Sequence, residues 1–589
     1  MAGPHDQNRL WAELLVDELV RCGVGLFCLA PGSRSTPLTA AVAANPRARH
    51  LMHFDERGTA FCALGYARAT GRPAAWITTS GTAVANGLPA VVEASVDGVP
   101  LLLLTADRPP ELRETGANQT IPQPGIFGSY VRWHFDLPAP TADIDPAFVL
   151  TTADQAVHRA ASSPAGPVHL NCMFREPLAP DRTEAEVDVP EGLERWAAHE
   201  EPYTRYTAPP TAVRDADVDD FAERLRSVER GLVIAGRLAT RAEGEAAVRL
   251  AEALGWPLLP DIGSQVRLGG RSLVACPGYD HALGSPSFAE AQRPEAVVHL
   301  GGRSTSKRLA QFVARSRPRI HAVVRNDPFR FDPDHRVTDR VEADIVAFCE
   351  AVAAESEVER SSAWLDAWRT ASGAVLDVFD AQLEGALSEP VVARLVARHA
   401  GQGLVLAASM PVRDADAFAA PGGPAPLVVS NRGASGIDGT VATSAGVARG
   451  LDAPVTLLIG DLALLHDLNS LALLRDPAQP PVTVVVVNND GGGIFHFLPI
   501  AEHEAVFEPY FGTPHGLGFE HAARMFGLGY HRPETPGDLA VLLAGTVERS
   551  ALIEVRTDRV ENRVLHADLL QRAAAAVGAA MPSPATVSR

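Results

Sequence analysis

A chain of 589 residues is long enough for about three or four domains. Hydrophobic residues at 46% and charged residues at 21% are ordinary for a globular protein, and the 49 Gly and 46 Pro are dispersed as turn residues rather than gathered in a disordered tract. A formal charge of −19 argues against non-specific binding to nucleic acid or to an anionic membrane, so any anionic substrate would need a local excess of Arg and Lys.

The N-terminal stretch 1–15 is polar and acid-bearing, without the pattern of a secretory signal. The longest apolar runs, such as 482–487, are far short of a membrane span. Cys22, Cys28, Cys62, Cys172, Cys276 and Cys349 show no C-x-x-C spacing, and the expectation is reduced, mostly buried thiols in a cytoplasmic protein. An amphipathic helix is predicted over 10–21. Continuous apolar runs at 26–30, 74–79 and 101–105 follow, bounded by Gly, Pro or Ser, and suit strands buried on both faces of a parallel sheet. Helices are predicted over 56–70 and 83–95, and a polar, Pro-rich linker over 177–211. A second block has strands at 231–235, 296–300 and 321–324. Gly236 opens no G-x-G-x-x-G turn, so a dinucleotide site there has little support. After a mostly helical stretch, 347–399, a third block carries strands at 404–407, 427–430, 455–459, 482–487 and 551–555, and the tail after 573 is expected to fray. The expectation is an α/β protein of three doubly wound parallel-sheet domains, over 1–185, 205–350 and 385–575.

The segment 460–491 carries the most chemistry. One buried strand ends at Gly460-Asp461-Leu462, a helix is predicted over 464–475, and the next strand ends at Asn488-Asn489-Asp490-Gly491. Both polar ends then lie at the carboxyl edge of one parallel sheet, where open α/β folds bind ligands. An Asp carboxylate, an Asn side-chain oxygen and a backbone carbonyl near Gly491 make a hard-oxygen set suited to Mg²⁺ chelated by a diphosphate. Gly460 lets phosphate approach the backbone, and a helix N-terminus favours anions. Taken singly, Asp461 could be a helix cap and the Asn pair a turn; together, on two strand ends, they favour ligation.

Gly460-Asp461 followed by Asn488-Asn489 resembles the thiamine-diphosphate motif of the pyruvate-decarboxylase-like superfamily, with Leu462 in place of its usual second Gly. The resemblance implies a thiamine-diphosphate-binding fold in which Asp461, Asn489 and the Gly491 carbonyl hold Mg²⁺ or Mn²⁺. It also implies that Ile494, beside Phe495, lies under the bent cofactor. The superfamily needs a Glu at the aminopyrimidine ring, and Glu56 in His53-Phe54-Asp55-Glu56-Arg57-Gly58 is the candidate. A carboxylate at ring nitrogen N1′ favours the imino tautomer, which removes the thiazolium C2 proton. Without that resemblance, Glu56 reads as a first-turn acid complementing the helix dipole.

Four further motifs are distinctive: 31–38 (PGSRSTPL), 106–110 (ADRPP), 116–121 (GANQTI) and 430–439 (SNRGASGIDG). With Ser306-Lys307-Arg308-Leu309 they resemble the 2-succinyl-5-enolpyruvyl-6-hydroxy-3-cyclohexene-1-carboxylate synthase family of menaquinone biosynthesis. That resemblance implies joining of 2-oxoglutarate to isochorismate, both dicarboxylates, in a homodimer or homotetramer whose cofactor lies between two chains. It places Ser33, Arg34, Arg108, Asn118, Gln119, Lys307 and Arg308 around the substrates, mainly toward isochorismate. Ser409, Arg413 and Arg432 would hold the succinyl carboxylate. Arg suits such a site because its planar, permanently charged fork matches a carboxylate. Any one of them could instead be a surface ion pair. His496, between Phe495 and Phe497, could donate protons but reads as structural or cofactor-lining, while His53 and His466 read as packed or capping. Two competitors are another thiamine-diphosphate-dependent carboligase or decarboxylase, which would need fewer Arg, and a non-catalytic binding protein, which intact Glu56, Asp461 and Asn489 speak against.

Overall fold

The apolar runs become parallel strands because their residues are buried along nearly their whole length, leaving no face that alternates toward water. The computed structural model describes residues 4–179, 189–207, 213–270, 272–356, 363–545 and 548–581. In the first sheet β1 (Leu26–Leu29), β2 (His50–Met52), β3 (Ala74–Thr78), β4 (Leu101–Asp107), β5 (Trp133–Leu137) and β6 (Pro167–Met173) lie in the order β2-β1-β3-β4-β6-β5. The second contains β7 (Gly231–Ala235), β8 (Leu258–Pro260), β9 (Ala296–Leu300), β10 (Ile320–Arg325) and β11 (Asp339–Glu342), in the order β11-β10-β9-β7-β8. The third contains β12 (Gly403–Leu406), β13 (Leu427–Val429), β14 (Val455–Gly460), β15 (Val482–Asn488), β16 (Gly529–His531) and β17 (Ala551–Arg556), in the order β13-β12-β14-β15-β17-β16. Every pair is parallel. The first and third sheets thus share one strand order. In the third, the chain reverses its direction of winding between β12 and β14, and such a switch point opens a crevice at the carboxyl ends of the strands.

The chain divides into two compact units. Met1–Pro209, Asn431–Ala453 and His466–Pro480 form the first, with the first sheet; Pro210–Ser430, Pro454–Leu465 and Pro481–Arg589 form the second, with the other two sheets. Within the first unit the helix Glu56–Thr70 packs closely against the helix Thr440–Leu451. A Cβ on Gly65 would lie 2.1 Å from the Thr443 carbonyl oxygen, and one on Gly446 2.0 Å from that of Cys62. The approach therefore depends on both glycines.

Three expectations are corrected. The helix predicted over 83–95 is two helices, Thr82–Asn86 and Leu88–Asp97, because Pro89 lacks the amide needed to continue the ladder across Gly87. The tail does not fray at 573: the helix Arg559–Ala580 continues, with Ala573 and Val577 buried in one cluster with Trp368, Val375 and Phe379. Its Ala-rich composition favours helix, and residues 582–589 lie outside the described residues. The predicted linker also packs over 189–207, while 180–188 and 208–211 lie outside the described residues.

That packed segment is held by a carboxyl clamp. Glu18 accepts hydrogen bonds from Trp196 Nε1 at 2.5 Å and Tyr203 N at 2.6 Å; Asp154 accepts from Cys22 Sγ at 3.1 Å and Thr204 N at 2.8 Å. The Arg21 guanidinium lies 4.0 Å from the Trp196 ring centroid. Among the described residues Glu18, Cys22 and Asp154 cluster closely, and each of the four carboxylate oxygens accepts a protein donor that ties down the segment. Burial, then the neighbouring Asp154, pushes the Glu18 carboxyl from its ordinary 4.5 up to about 8. Between those values the folded state binds more protons than the unfolded one, so this contribution to stability is present below 4.5 and lost as pH rises toward 8. Urea midpoints measured from pH 5 to 8.5 should fall less steeply for Glu18→Gln than for the wild type. Parallel profiles would show that Glu18 does not carry the effect.

Among the described residues no helix is long and apolar enough to cross a membrane. All six cysteines are free thiols, Cys22 half-buried and the others buried.

Candidate active site

In the second unit, β14 and β15 run side by side with Gly460 opposite Val487, which brings their polar ends together. Asp461 opens the helix Asp461–His466 and is 2% exposed. Its Oδ1 accepts from Leu462 N at 2.6 Å and its Oδ2 from Gly491 N at 2.9 Å, so one carboxylate ties both strand ends together. His515 Nε2 lies 3.2 Å from the same Oδ2. Burial pushes the Asp461 carboxyl up, while the two amides and His515 oppose that shift. Leu462 occupies the second helical position, where a side chain is tolerated, so its departure from the motif leaves the turn intact. The helix expected over 464–475 begins earlier, at Asp461, and gives way to the 3₁₀ segment Leu468–Arg475.

The two asparagines divide their work. Asn488 Nδ2 donates to the Leu517 carbonyl at 2.9 Å and to Glu554 Oε1 at 2.8 Å, which fastens the loop after β15. Asn489 Nδ2 donates to Glu389 Oε1 at 2.7 Å, and its Oδ1 is buried with no partner among the described residues. Burial, then the charge of Asp414, pushes the Glu389 carboxyl up to about 7. Gly491 has φ of +133°, and a Cβ there would lie 2.0 Å from the Gly512 carbonyl oxygen, so the loop depends on glycine. A Cβ on Gly460 would meet no atom within 4 Å. Protein packing therefore does not require glycine at 460, and the space over it is free for a ligand. The Asp461 carboxylate, the orphaned Asn489 Oδ1 and the Gly491 carbonyl are hard oxygen donors. Together with open backbone at Gly460, they fit a divalent cation carrying a diphosphate.

The 3₁₀ segment Gly493–Phe497 follows. Ile494 and Phe495 are half-buried, and Phe495 packs edge-on against Phe511 with centroids 5.4 Å apart. His496 is buried edge-on against Phe507 at 4.6 Å, in keeping with a packing role. At the end of β12, Ser409 takes a left-handed φ of 73° before the helix Met410–Phe418, and Arg413 Nη1 donates back to its carbonyl. Lys307 is exposed at the start of the helix Lys307–Ser316, and Arg308 pairs with Asp280.

In the first unit Glu56 opens the helix Glu56–Thr70, whose cap Asp55 accepts from Arg57 N and Gly58 N at 3.0 and 3.3 Å. Glu56 is half-buried, with Asn86 Nδ2 3.4 Å from its Oε2. Burial pushes the His53 imidazole down to about 4, so it is neutral near pH 7. Arg57 donates to the His466 carbonyl at 2.7 Å. Arg34 and Arg108 are brought together: burial and then the Arg34 charge lower the pKa of Arg108. Arg34 donates to the Phe174 carbonyl at 3.0 Å and to Glu176 at 3.3 Å; Arg108 donates to Ser80 Oγ and, at 3.2 Å, to the Gln119 carbonyl. Ser33, Asn118 and Gln119 are exposed. Arg432 is half-buried, and the next two amides, Gly433 and Ala434, donate to the buried Glu93 at 2.9 and 2.7 Å.

Several contributors escape a reading of the sequence. Ser80 and Asn86 lie in ordinary small-residue stretches. Glu389 reads only as a first-turn helix acid, and His515 as part of a Pro-Gly loop. None has a spacing signal, because each reaches its partner through tertiary structure.

Parallel α/β sheets bearing this paired strand-end oxygen set define a thiamine-diphosphate-dependent enzyme. Residues 10–126 match the family described as thiamine pyrophosphate enzyme, N-terminal TPP binding domain, and residues 188–406 match the middle domain of thiamine pyrophosphate. The 2-succinyl-5-enolpyruvyl-6-hydroxy-3-cyclohexene-1-carboxylate synthase of Rubrobacter xylanophilus is 60% identical over 576 residues, covering 96% of this chain and 98% of its own. That of Salinibacter ruber is 57% identical over 565 residues, 95% of each chain, and that of Chlorobaculum tepidum 47% over 568 residues, 96% and 97%. The chain belongs to the 2-succinyl-5-enolpyruvyl-6-hydroxy-3-cyclohexene-1-carboxylate synthase family.

Proposed function

We propose that the protein decarboxylates 2-oxoglutarate and adds the succinyl carbanion equivalent, in conjugate fashion, to isochorismate. The product is 2-succinyl-5-enolpyruvyl-6-hydroxy-3-cyclohexene-1-carboxylate, on the route to menaquinone. Besides family membership, the observation that carries this reading is the Asp461 carboxylate bridging two strand ends beside the orphaned Asn489 oxygen. When bound, thiamine diphosphate supplies a thiazolium that accepts the electron pair left by departing CO₂. Asp461, Asn489 and the Gly491 carbonyl hold Mg²⁺ or Mn²⁺; Gly460 admits the diphosphate, and Ile494 with Phe495 supports the ring. Glu56 exchanges a proton with N1′ of the pyrimidine. Ser33, Arg34, Arg108, Asn118, Gln119, Lys307 and Arg308 bind substrate carboxylates, mainly of isochorismate, while Ser409, Arg413 and Arg432 hold the succinyl end.

On this reading the enzyme is a cytoplasmic homodimer or homotetramer, with Glu56 of one chain serving the diphosphate site of another. Three doubly wound domains, over 1–185, 205–350 and 385–575, supply those sites. The test mixes purified protein with thiamine diphosphate, Mg²⁺ or Mn²⁺, 2-oxoglutarate and isochorismate. Loss of isochorismate is expected; its persistence with folded, cofactor-loaded protein overturns the assignment. Arg413→Ala should raise the KM for 2-oxoglutarate, since a lost charged hydrogen bond costs roughly 1.5–3 kcal/mol. An unchanged KM would remove Arg413 from that role.

A further inference from the structure

We propose that Glu389 is a positioning residue for the metal site, setting which end of the Asn489 amide faces the cation. The proposal rests on Asn489 being a metal ligand. Glu389 is the first residue of the helix Glu389–His399, 3% exposed, and its Oε1 receives Asn489 Nδ2–H at 2.7 Å. Thr557 Oγ1 donates to the same oxygen at 3.2 Å, and Thr557 N donates to the Asn488 carbonyl at 3.2 Å, so the acceptor is fixed against the backbone of β15. Glu389 Oε1 is thus the acceptor for two donors, Asn489 Nδ2 and Thr557 Oγ1. The amide nitrogen must therefore face Glu389, which turns Asn489 Oδ1 the other way. That oxygen is buried without a partner among the described residues. Without the Glu389 acceptor the amide could turn its NH₂ toward the cation, and an NH₂ group repels a metal ion. Glu389 and Asp414 are each 3% exposed, and His566 Nε2 lies 3.3 Å from Asp414 Oδ1.

The probe is Mn²⁺ in the presence of thiamine diphosphate at pH 8, with free ion read by electron paramagnetic resonance and no substrate present. Asn489→Ala is the control for the ligand itself: if it leaves Mn²⁺ affinity unchanged, the metal-site reading fails. If that control weakens binding, Glu389→Leu should weaken it by about tenfold to hundredfold, the usual range for a residue that orients a ligand. Glu389→Gln, which keeps an acceptor oxygen, should retain most of the affinity. Wild-type affinity in Glu389→Leu would overturn the proposal, as would equal loss in Glu389→Gln and Glu389→Leu. A second measurement does not depend on Glu389→Leu folding. Asn489→Asp sets two carboxyl groups against each other and should weaken Mn²⁺ binding, although Asp is itself a good ligand. Adding Glu389→Gln restores a donor facing that position and should recover the affinity; failure to recover it overturns the proposal.

Discussion

Glu56→Gln is expected to keep the fold and the cofactor while losing about 10²–10⁴-fold in turnover, the usual contribution of a positioned proton-transfer group. The substitution preserves size and still offers Asn86 an oxygen, so the 3.4 Å contact can persist. The cap of the helix Glu56–Thr70 is untouched, because Asp55 and not Glu56 receives the Arg57 and Gly58 amides. What is removed is the ability to exchange a proton with N1′. If Glu56 served only to complement the helix dipole, the change would cost about 0.3–1 kcal/mol of stability and leave the rate alone. The two roles therefore separate cleanly: steady-state rates are measured beside thermal midpoints and thiamine-diphosphate affinity by calorimetry. Turnover above a tenth of wild type with full cofactor loading would take Glu56 out of its proposed role.

What was legible in the sequence follows from how local each signal is. The run at 482–487 reads as a buried strand because five valines and the β-branched Thr483 leave no regular water-facing alternation, and β15 spans Val482–Asn488. Asp461 and Asn489 are legible for the same reason: they end consecutive strands, so pairing places them at one edge. Short edge strands such as β2, β11 and β16 have three or four residues and partly exposed patterns, too little to carry a periodic signal. The packed segment at 189–207 reads as linker in sequence because its polar composition hides a single tryptophan anchor, Trp196, whose partner Glu18 is 178 residues away. Glu389 is 100 residues from Asn489, and its local setting, Ser388-Glu389-Pro390, signals only the start of a helix. A residue that acts by orienting another leaves no mark in spacing, because its chemistry depends on a distance that folding alone creates.

Asp461→Asn is expected to abolish the stabilisation that metal and thiamine diphosphate confer, while leaving the ligand-free protein close to wild type. Two opposing effects make the ligand-free change small. The carboxylate is 2% exposed and its pKa is pushed up by burial, so neutralising it removes an unfavourable buried charge. Against that, an amide cannot accept from both Leu462 N and Gly491 N through separate oxygens, so one of the bonds at 2.6 and 2.9 Å is lost, at about 0.5–1.5 kcal/mol. For the bound state nothing offsets the loss, since the cation forfeits its one anionic protein ligand in the proposed set. A ligand that binds only the folded state stabilises it by about 2.7 kcal/mol at a hundred times its Kd. The wild type should therefore show a clear rise in thermal midpoint with Mn²⁺ and thiamine diphosphate added together, and Asp461→Asn should show almost none at the same concentrations. The Glu56→Gln protein, with its diphosphate site intact, should keep that rise. An undiminished rise in Asp461→Asn would mean that the cation is held elsewhere, and the strand-end oxygens would lose their assigned task.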